Sequence, residues 1–253
     1  MLDTVERLGQ KYLILSGKGG VGKTTIAANL AWAKAKAGFR VGLLDIDLHG
    51  PDLAGALYHE ASVEVDYRGF LLPSQPRENL WVLTLENLLE DKHQAVMWRG
   101  PRKMRAIIQF IGETAWPELD YFFIDSPPGT GDETLTVLRN IPQLKALVVS
   151  TGHRLAISDV SKALDCLKTC GAFVAGLIDN FSEIICPGCG QRLALHDPGA
   201  TAALAKETGH PFLGSLVMDP AAVQAAERVK KPLVEAAANS PLAEDIIKLA
   251  EKI

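Results

Sequence analysis

The chain has 253 residues, of which 47% are hydrophobic and 22% charged, as is ordinary for a folded globular protein with a large core. Its net charge of -4 argues against a nucleic-acid-binding surface, and no apolar run is long enough to span a bilayer. The first residues, MLDTVERLGQ, lack the basic and apolar parts of a signal peptide, so we expect a cytoplasmic protein that binds neither nucleic acid nor membrane.

Short apolar segments recur along the chain, and most of them are continuous rather than alternating with polar residues. Strands that are buried on both faces of a parallel sheet have this pattern. The less regular segment 60–78 is interpreted as a hairpin or a loop excursion. The predicted strands are residues 11–16, 40–47, 79–85, 120–125, 145–151, 173–180 and 211–218.

Helical patterns lie between these strands, and two of them end at a glycine. Alternating strands and helices predict one α/β domain over residues 1–253, with a mostly parallel central sheet flanked by helices in three layers. The apolar stripes of the two helices are Ile26, Leu30 and Ala33 in segment 24–38, and Val160, Leu164 and Leu167 in segment 158–171.

A phosphate-binding motif follows the first predicted strand and opens the first predicted helix. The stretch GKGGVGKTT, residues 17–25, matches G-x-x-x-x-G-K-[ST] in this context. The glycines let backbone N–H groups point at phosphate oxygens, and the helix N-terminus adds positive potential. Lys23 is expected to reach the β- and γ-phosphates of ATP, and Thr24 to bind Mg²⁺. The predicted nucleotide-binding residues of the loop are Gly17, Gly19, Gly20, Val21, Gly22, Lys23, Thr24 and Thr25.

Acidic residues at the ends of two other predicted strands complete the phosphate site. Asp125 ends the strand DYFFID, where a Walker-B carboxylate holds Mg²⁺. The turn-rich stretch SPPGTGDE follows it and is suited to sense the γ-phosphate. Asp45 and Asp47 end the strand VGLLDID, where a carboxylate would orient the attacking water or support the magnesium shell. Lys18 gives the loop a second lysine, which residue type alone explains equally well as a solvated surface group.

The cysteines define a second candidate site. Cys186 and Cys189 form a CPGC turn whose spacing lets both sulfur atoms bind one metal. A closed sulfur site needs four ligands, and the chain has only two further cysteines. Cys166 and Cys170 lie one helical turn apart beside an apolar stripe, and we interpret them as small core residues. From the residues alone, zinc, an iron–sulfur cluster and thiol redox chemistry are all open.

Several stretches together resemble a known family. KGGVGKTT resembles the deviant Walker A of the SIMIBI-class ATPases related to MinD, ParA, ArsA and the nitrogenase iron protein. Within that class the chain is most similar to the Mrp/ApbC iron–sulfur cluster carriers, over nearly its whole length, which implies a P-loop NTPase fold. The segments that carry this resemblance are DIDLHGPDL (45–53), MWRGPRKM (97–104), DSPPGTGDE (125–133) and GLIDNF (176–181) followed by CPGCG.

The resemblance implies a homodimeric ATPase with two nucleotides near the interface. It implies that Lys18 crosses to the phosphates bound by the partner subunit, that Asp47 helps to position water, and that Asn180 contacts adenine. It favours a [4Fe-4S] cluster on Cys186 and Cys189, because a twofold axis would bring two CPGC turns together and supply four thiolates. Zn²⁺ in an aerobically handled sample would be compatible with this assignment, since air destroys clusters.

In this interpretation the protein takes a cluster from a donor and passes it to apo-proteins from a metal loop at about residues 182–197. One alternative is a MinD/ParA-like positioning ATPase. MinD-like proteins attach to membranes through a basic amphipathic C-terminal helix. The C-terminus SPLAEDIIKLAEKI carries mixed charge and is predicted to be a packed helix instead. The other alternative is an ATPase dimer with a purely structural zinc.

Overall fold

The computed structural model describes residues 5–47, 50–59, 63–84 and 100–253. The strands are β1 (Gln10–Ser16), β2 (Val41–Asp45), β3 (Glu64–Val65), β4 (Leu71–Leu72), β5 (Ser74–Arg77), β6 (Leu80–Leu83), β7 (Tyr121–Asp125), β8 (Lys145–Ser150), β9 (Phe173–Ile185), β10 (Arg192–Ala194) and β11 (Phe212–Met218). The helices are α1 (Lys23–Lys36), α2 (Leu53–Leu57), α3 (Gly100–Gly112), α4 (Asp132–Asn140), α5 (Arg154–Thr169), α6 (Ala200–Thr208), α7 (Pro220–Val229), α8 (Leu233–Ala236) and α9 (Pro241–Glu251).

A nine-stranded mixed sheet occupies the centre of the described ranges. Its strand order is β10-β9-β8-β1-β7-β2-β6-β5, and β11 pairs with β9. β5 and β10 run antiparallel to their neighbours, whereas the other pairings in this sheet are parallel. The predicted mostly parallel sheet flanked by helices is therefore confirmed.

Each predicted strand overlaps an observed strand, although the ends differ. β9 departs most, because it continues to Ile185 instead of ending at residue 180. Segment 60–78, of which residues 63–78 are described, holds the antiparallel pair β3–β4 and the edge strand β5, as the hairpin interpretation anticipated. Residue 85 of the predicted strand 79–85 lies outside the described residues.

The central strands are buried on both faces, which explains their continuous apolar sequences. Along β7, Phe122 and Ile124 enter one core and Tyr121 and Phe123 enter the other. Helices α1, α7, α8 and α9 cover the face with Phe123, and helices α3 to α6 cover the opposite face. The result is a three-layer arrangement with a separate apolar core on each side of the sheet.

The predicted apolar stripe of α5 is confirmed, since Val160, Leu164 and Leu167 are all buried. The prediction of a single apolar stripe on α1 is wrong, because most faces of the helix are buried and Ala33, a member of the predicted stripe, is only partly buried. Helix α1 packs between the sheet and α9, so residues on both of its sides are buried. Helix α9 packs on α1 and β11, as predicted for the C-terminus. In the described ranges, no helix has both the length and the apolar character to cross a membrane.

Phe122 is fully buried at the centre of the sheet, so it reports directly on the core. Phe122→Ala should lower the free energy of unfolding by about 3–5 kcal/mol, because the lost apolar burial is joined by the cost of a cavity. Phe173→Ala is the matched control, since Phe173 is 63% exposed. The control should change stability by no more than about 0.5 kcal/mol. Urea denaturation of both variants measures the difference, and equal losses would contradict the described core.

Candidate functional site

The ends of three adjacent strands meet beneath the glycine-rich loop. β1, β2 and β7 are parallel neighbours, and Asp125 at the end of β7 is in register with Ile14 of β1 and Asp45 of β2. The loop that connects β1 to α1 begins directly after Ser16. Because the carboxyl ends of parallel strands share one edge of the sheet, the loop and both acidic residues are brought together.

The loop has the geometry of a phosphate-binding turn. Gly20 and Gly22 have φ angles of 77° and 85°, in the left-handed region that glycine adopts without strain. Gly22 is also the N-cap of α1 and makes no side-chain cap, so the first N–H groups of the helix are available to an anion. Lys23 is buried at the start of the helix, whereas Lys18 and Thr25 are exposed.

Gly17 and Val21 fix the two ends of the loop. A side chain on Gly17 would lie 2.5 Å from the backbone carbon of Asp159 in α5, so the loop begins in close contact with that helix. Val21 is buried, and its carbonyl oxygen accepts a hydrogen bond from Asn180 at 2.8 Å. Gly19 adds no such restraint, since a Cβ atom at this position would lie 3.8 Å from the side chain of Pro128.

The carboxylate of Asp125 is positioned for a cation. The Thr24 hydroxyl donates to Asp125 Oδ2 at 2.6 Å. The other oxygen, Asp125 Oδ1, is buried and has no hydrogen-bond partner in the described part of the chain. A buried carboxylate oxygen without a partner is costly, and Mg²⁺ prefers oxygen ligands such as carboxylates and hydroxyls. Thr24 and Asp125 therefore fit the predicted magnesium site.

The two aspartates share a strongly desolvated environment. Burial raises the pKa of Asp45 well above its ordinary value, and the neighbouring Asp125 carboxylate raises it further. Burial also raises the pKa of Asp125 to about 6, although the Thr24 hydrogen bond and the Lys23 charge act in the opposite direction. A divalent cation would relieve this accumulation of negative charge. The local electrostatics thus favour a bound metal ion over bare carboxylates.

Asp47 lies at the rim of an open cavity of about 660 Å³ beside the loop. Its Oδ1 accepts the Gly50 N–H at 3.3 Å, which keeps the half-buried carboxylate at the mouth of the cavity. Residues 48 and 49 of the predicted first switch, and residues 97–99 of the WRGP segment, lie outside the described residues. The cavity is lined by Asp47, Gly50, Lys103, Pro127, Pro128, Gly131, Asp132 and Glu133.

An ion pair in this cavity was not predicted from the sequence. Lys103 Nζ of α3 lies 3.2 Å from Glu133 Oε1 of α4, and both side chains are largely buried. The pair joins the segment after WRGP to the stretch SPPGTGDE that follows Asp125. No local pattern could reveal it, because the two residues are 30 positions apart and meet only through tertiary packing.

Asn180 contacts the loop instead of standing free in a pocket. Its side chain is buried, and its Nδ2 donates the hydrogen bond to the Val21 carbonyl described above. This contact places the end of the β9 segment GLIDNF against the phosphate-binding loop. The predicted contact between Asn180 and adenine stays a prediction.

Cys186 and Cys189 lie in the turn of the hairpin β9–β10. The turn is closed by two backbone hydrogen bonds, from Cys186 N–H to the Gln191 carbonyl at 2.9 Å and from Gly190 N–H to the Cys186 carbonyl at 2.8 Å. The N–H groups of Gly188 and Cys189, and then the Cys189 thiol, bond to the Cys186 sulfur and lower its pKa. Thiolates are the metal-binding form of cysteine. Cys186 is half-buried and Cys189 exposed, so the turn offers two accessible ligands.

The other two cysteines do not join this turn. Cys166 lies in the last turn of α5 and Cys170 is its C-cap; both are half-buried, so the prediction that they are core residues is wrong. The Thr130 side chain, in the stretch SPPGTGDE that follows Asp125, bonds to the Cys166 thiol. Within the described ranges, no group of three or more His, Cys, Asp or Glu side chains is placed to hold a metal.

A glycine-rich loop between a central strand and a helix, a Lys–Thr pair at its end and a buried aspartate beside the threonine define a P-loop NTPase. The family model described as ParA, "NUBPL iron-transfer P-loop NTPase", matches residues 7–253. The chain therefore belongs to this family of ParA-type P-loop proteins, in agreement with the resemblance seen in its motifs.

Individual relatives support the same assignment. The chain is 34% identical over 253 residues to the iron-sulfur cluster carrier protein of Methanocaldococcus jannaschii, covering 99% of this chain and 87% of the relative. It is 39% identical over 246 residues to the human cytosolic Fe-S cluster assembly factor NUBP2, covering 95% and 90% of the two chains. Among solved structures, a nucleotide-binding protein from Archaeoglobus fulgidus in complex with ADP superposes with a TM-score of 0.74 at 29% identity, covering 98% and 90%.

The contact between β9 and the loop gives a testable difference between two glycines. A Cβ on Gly22 would overlap the Asn180 amide, whereas a Cβ on Gly20 would meet nothing within 4 Å. Gly20→Ala should cost about 1–2 kcal/mol of stability, since only left-handed strain is added. Gly22→Ala should cost a further ~1–3 kcal/mol, because the buried Asn180–Val21 hydrogen bond is lost as well.

Urea denaturation of the nucleotide-free protein compares the two alanine variants of the loop. The same measurement after Asn180→Ala shows whether the amide is responsible, because Gly22→Ala should then add little more than Gly20→Ala does. Equal destabilisation by Gly20→Ala and Gly22→Ala in the wild-type background would contradict the described contact.

Proposed function

We propose that the chain is an ATP-hydrolysing carrier that holds a [4Fe-4S] cluster between two copies of itself and delivers it to apo iron–sulfur proteins. One observation carries the proposal. The strand β9 contacts the phosphate-binding loop through Asn180 and ends at a turn that stabilises the Cys186 thiolate. One continuous strand thus connects the phosphate-binding loop to the turn that carries the two cysteines.

The nucleotide half of the proposal rests on the loop and the two carboxylates. The loop N–H groups and Lys23 would hold the β- and γ-phosphates of ATP, and Thr24 with Asp125 would hold Mg²⁺. Bound Mg²⁺ neutralises charge on the transferring phosphoryl group. Asp47 at the cavity rim would orient the attacking water. Lys18 is exposed at the loop surface, which suits a side chain that reaches a partner subunit.

The cluster half rests on a count of ligands. Each chain offers Cys186 and Cys189 on an exposed hairpin, and a [4Fe-4S] cluster is held by four thiolates. Two chains related by a twofold axis supply this number with no further residues. A cargo held by two short exposed turns is open to exchange, as a carrier requires. The relatives named as a cluster carrier and as an assembly factor support this cargo over a permanent cofactor.

The proposal treats residues 1–253 as a single ATPase domain with its metal loop at 182–197. Hydrolysis would be slow and act as a conformational gate, with a homodimer as the working unit. Cluster donors and apo-protein recipients are the remaining partners. The human relative is named a cytosolic factor, which supports a cytoplasmic location for this chain.

A structural zinc is the second candidate, because the same thiolate turn suits tetrahedral Zn²⁺. The lowered pKa of Cys186 favours zinc and a cluster equally. A membrane-positioning role is less well supported, since α9 packs its buried residues on α1 and β11. Metal content after anaerobic reconstitution separates the first two candidates.

We predict that Lys18 acts across the dimer. Lys18→Ala should leave ATP binding nearly intact and reduce hydrolysis, because a cation supplied in trans stabilises the transferring phosphoryl group. Such a group is worth up to roughly 10³- to 10⁵-fold in rate, and a slow carrier would use the lower part of this range or less. Lys23→Ala should weaken nucleotide binding itself. Nucleotide titration and phosphate release measure the two effects separately.

Mixed dimers give the decisive control for Lys18. Combining Lys18→Ala with Lys23→Ala subunits should restore one working site per heterodimer, in which an intact Lys18 faces an intact Lys23. If no activity returns when subunits are shown to exchange, Lys18 acts within its own subunit and the assignment in trans is wrong.

We predict one [4Fe-4S] cluster per dimer after anaerobic reconstitution with iron and sulfide. Cys186→Ala or Cys189→Ala should abolish cluster binding, because each removes half of the available ligands. ATP hydrolysis should persist in both variants, since neither thiol is part of the phosphate site. Iron and sulfide determination, together with Mössbauer spectra, measures the outcome for each variant.

The double variant Cys166→Ser/Cys170→Ser is the matched control for the cluster experiment. It removes two thiols per chain at the end of α5, one more than either single variant, and should still retain the full cluster. A cluster bound without Cys186 and Cys189, or four iron atoms per monomer, would contradict the shared site. Tightly bound zinc with no cluster under anaerobic conditions would favour the structural-metal alternative.

A further inference from the structure

Phe181 occupies an unusual position in the strand that joins the two sites. Its φ angle is 57°, in the left-handed region that residues with a side chain rarely adopt. It lies within β9. On one side is Asn180, which contacts the phosphate-binding loop, and on the other is the hairpin whose turn carries Cys186. A bulky residue persists in this backbone conformation only when surrounding contacts impose it.

The aromatic ring of Phe181 rests on the phosphate-binding loop. Its Cζ atom lies 3.4 Å from the position that a Cβ on Gly22 would occupy. Gly22 is the N-cap of α1, next to Lys23. The adjacent Asn180 amide bonds to Val21, so two consecutive residues of β9 lie against two consecutive residues of the loop.

The strand also changes register at this point. Asn180 is opposite Leu216 of β11, whereas Ile184 is opposite Met218, so β9 gains two residues between these pairs. The Ser182 hydroxyl donates to the Leu216 carbonyl at 3.2 Å and holds the irregular segment against β11. The Leu195 N–H donates to the Ser182 carbonyl at 3.3 Å, which fixes the returning arm of the hairpin to the same segment.

We propose that Phe181 is a positioning residue that transmits the state of the phosphate-binding loop to the CPGC turn within one subunit. A shift of Gly22 on nucleotide binding displaces the Phe181 ring, because the ring lies directly beside Gly22. The displacement passes along the short segment from Ser182 to Ile185 and changes the placement of Cys186. This inference rests on the nucleotide half of the proposed function, and it requires no bound cluster.

Thiol alkylation of the reduced, cluster-free full-length protein tests this route. The rate of iodoacetamide modification at Cys186 and Cys189 is measured by peptide mass spectrometry with and without Mg²⁺·ADP. In the wild type, nucleotide should change the rate by about fivefold or more, the lower end of ordinary coupling between two sites. Cys166 and Cys170 in the same sample report any general change in stability.

Phe181→Ala removes the ring, and Phe181→Gly removes both the ring and the left-handed strain, so the second variant folds without that cost. In both variants, the alkylation rate with Mg²⁺·ADP should become about equal to the rate without it. The dissociation constant of ADP should differ from that of the wild type by less than about threefold. Phe173→Ala is the matched control, because Phe173 is an exposed phenylalanine at the start of the same strand. Its ratio of the two alkylation rates should equal that of the wild type.

The outcomes distinguish the proposed role of Phe181 from the proposed [4Fe-4S] cargo. A nucleotide-dependent rate that persists in Phe181→Ala and Phe181→Gly overturns the role of Phe181. A wild type that binds ADP without any change at Cys186 overturns it as well. If the wild type responds and the Phe181 variants do not, the inference holds even when reconstitution yields no cluster, and only the proposed cargo is then wrong.

Discussion

The burial of the Asp125 carboxylate is the constraint on which the nucleotide site depends. A charge in this position is unfavourable unless partners compensate for its lost hydration. The Thr24 hydroxyl donates a hydrogen bond to one carboxylate oxygen of Asp125. The other oxygen has no partner among the described residues and is available to a cation. The neighbouring Asp45 is equally desolvated and adds to the demand for positive charge. Lys23, the loop N–H groups and a bound Mg²⁺ would therefore form one electrostatic unit with the strand ends, in which each positive group offsets the negative charge of the carboxylates.

Strand β9 extends this unit toward the cysteines. Its first part belongs to the core of the sheet, paired with β8 and β11, and its distal part forms the hairpin with β10. The loop contact of Asn180 lies at the transition between the two parts. The strand therefore connects the phosphate-binding loop to the turn that carries Cys186 and Cys189. The core holds the near end of the strand, while the far end presents an exposed turn.

The strands and the phosphate loop could be predicted because their signals are local: continuous apolar segments, and glycines and lysines at fixed spacing. The position of Asp125 at the end of such a segment, next to the loop, could be predicted in the same way. Tertiary contacts carried no such signal. The Lys103–Glu133 pair, the left-handed Phe181 and the half-buried Cys166 all depend on how distant elements pack. The extension of β9 to Ile185 likewise depends on its pairing with β10, a contact that the sequence of β9 alone does not reveal.

Native mass spectrometry of the anaerobically reconstituted wild-type protein tests the central claim most directly, because it weighs the assembly and its cargo together. The account predicts a dimer whose mass includes a single [4Fe-4S] unit, and a loss of that unit when an apo iron–sulfur protein is added with Mg²⁺·ATP. A monomer that carries a complete cluster by itself, or a dimer that binds only zinc after anaerobic reconstitution, would contradict it.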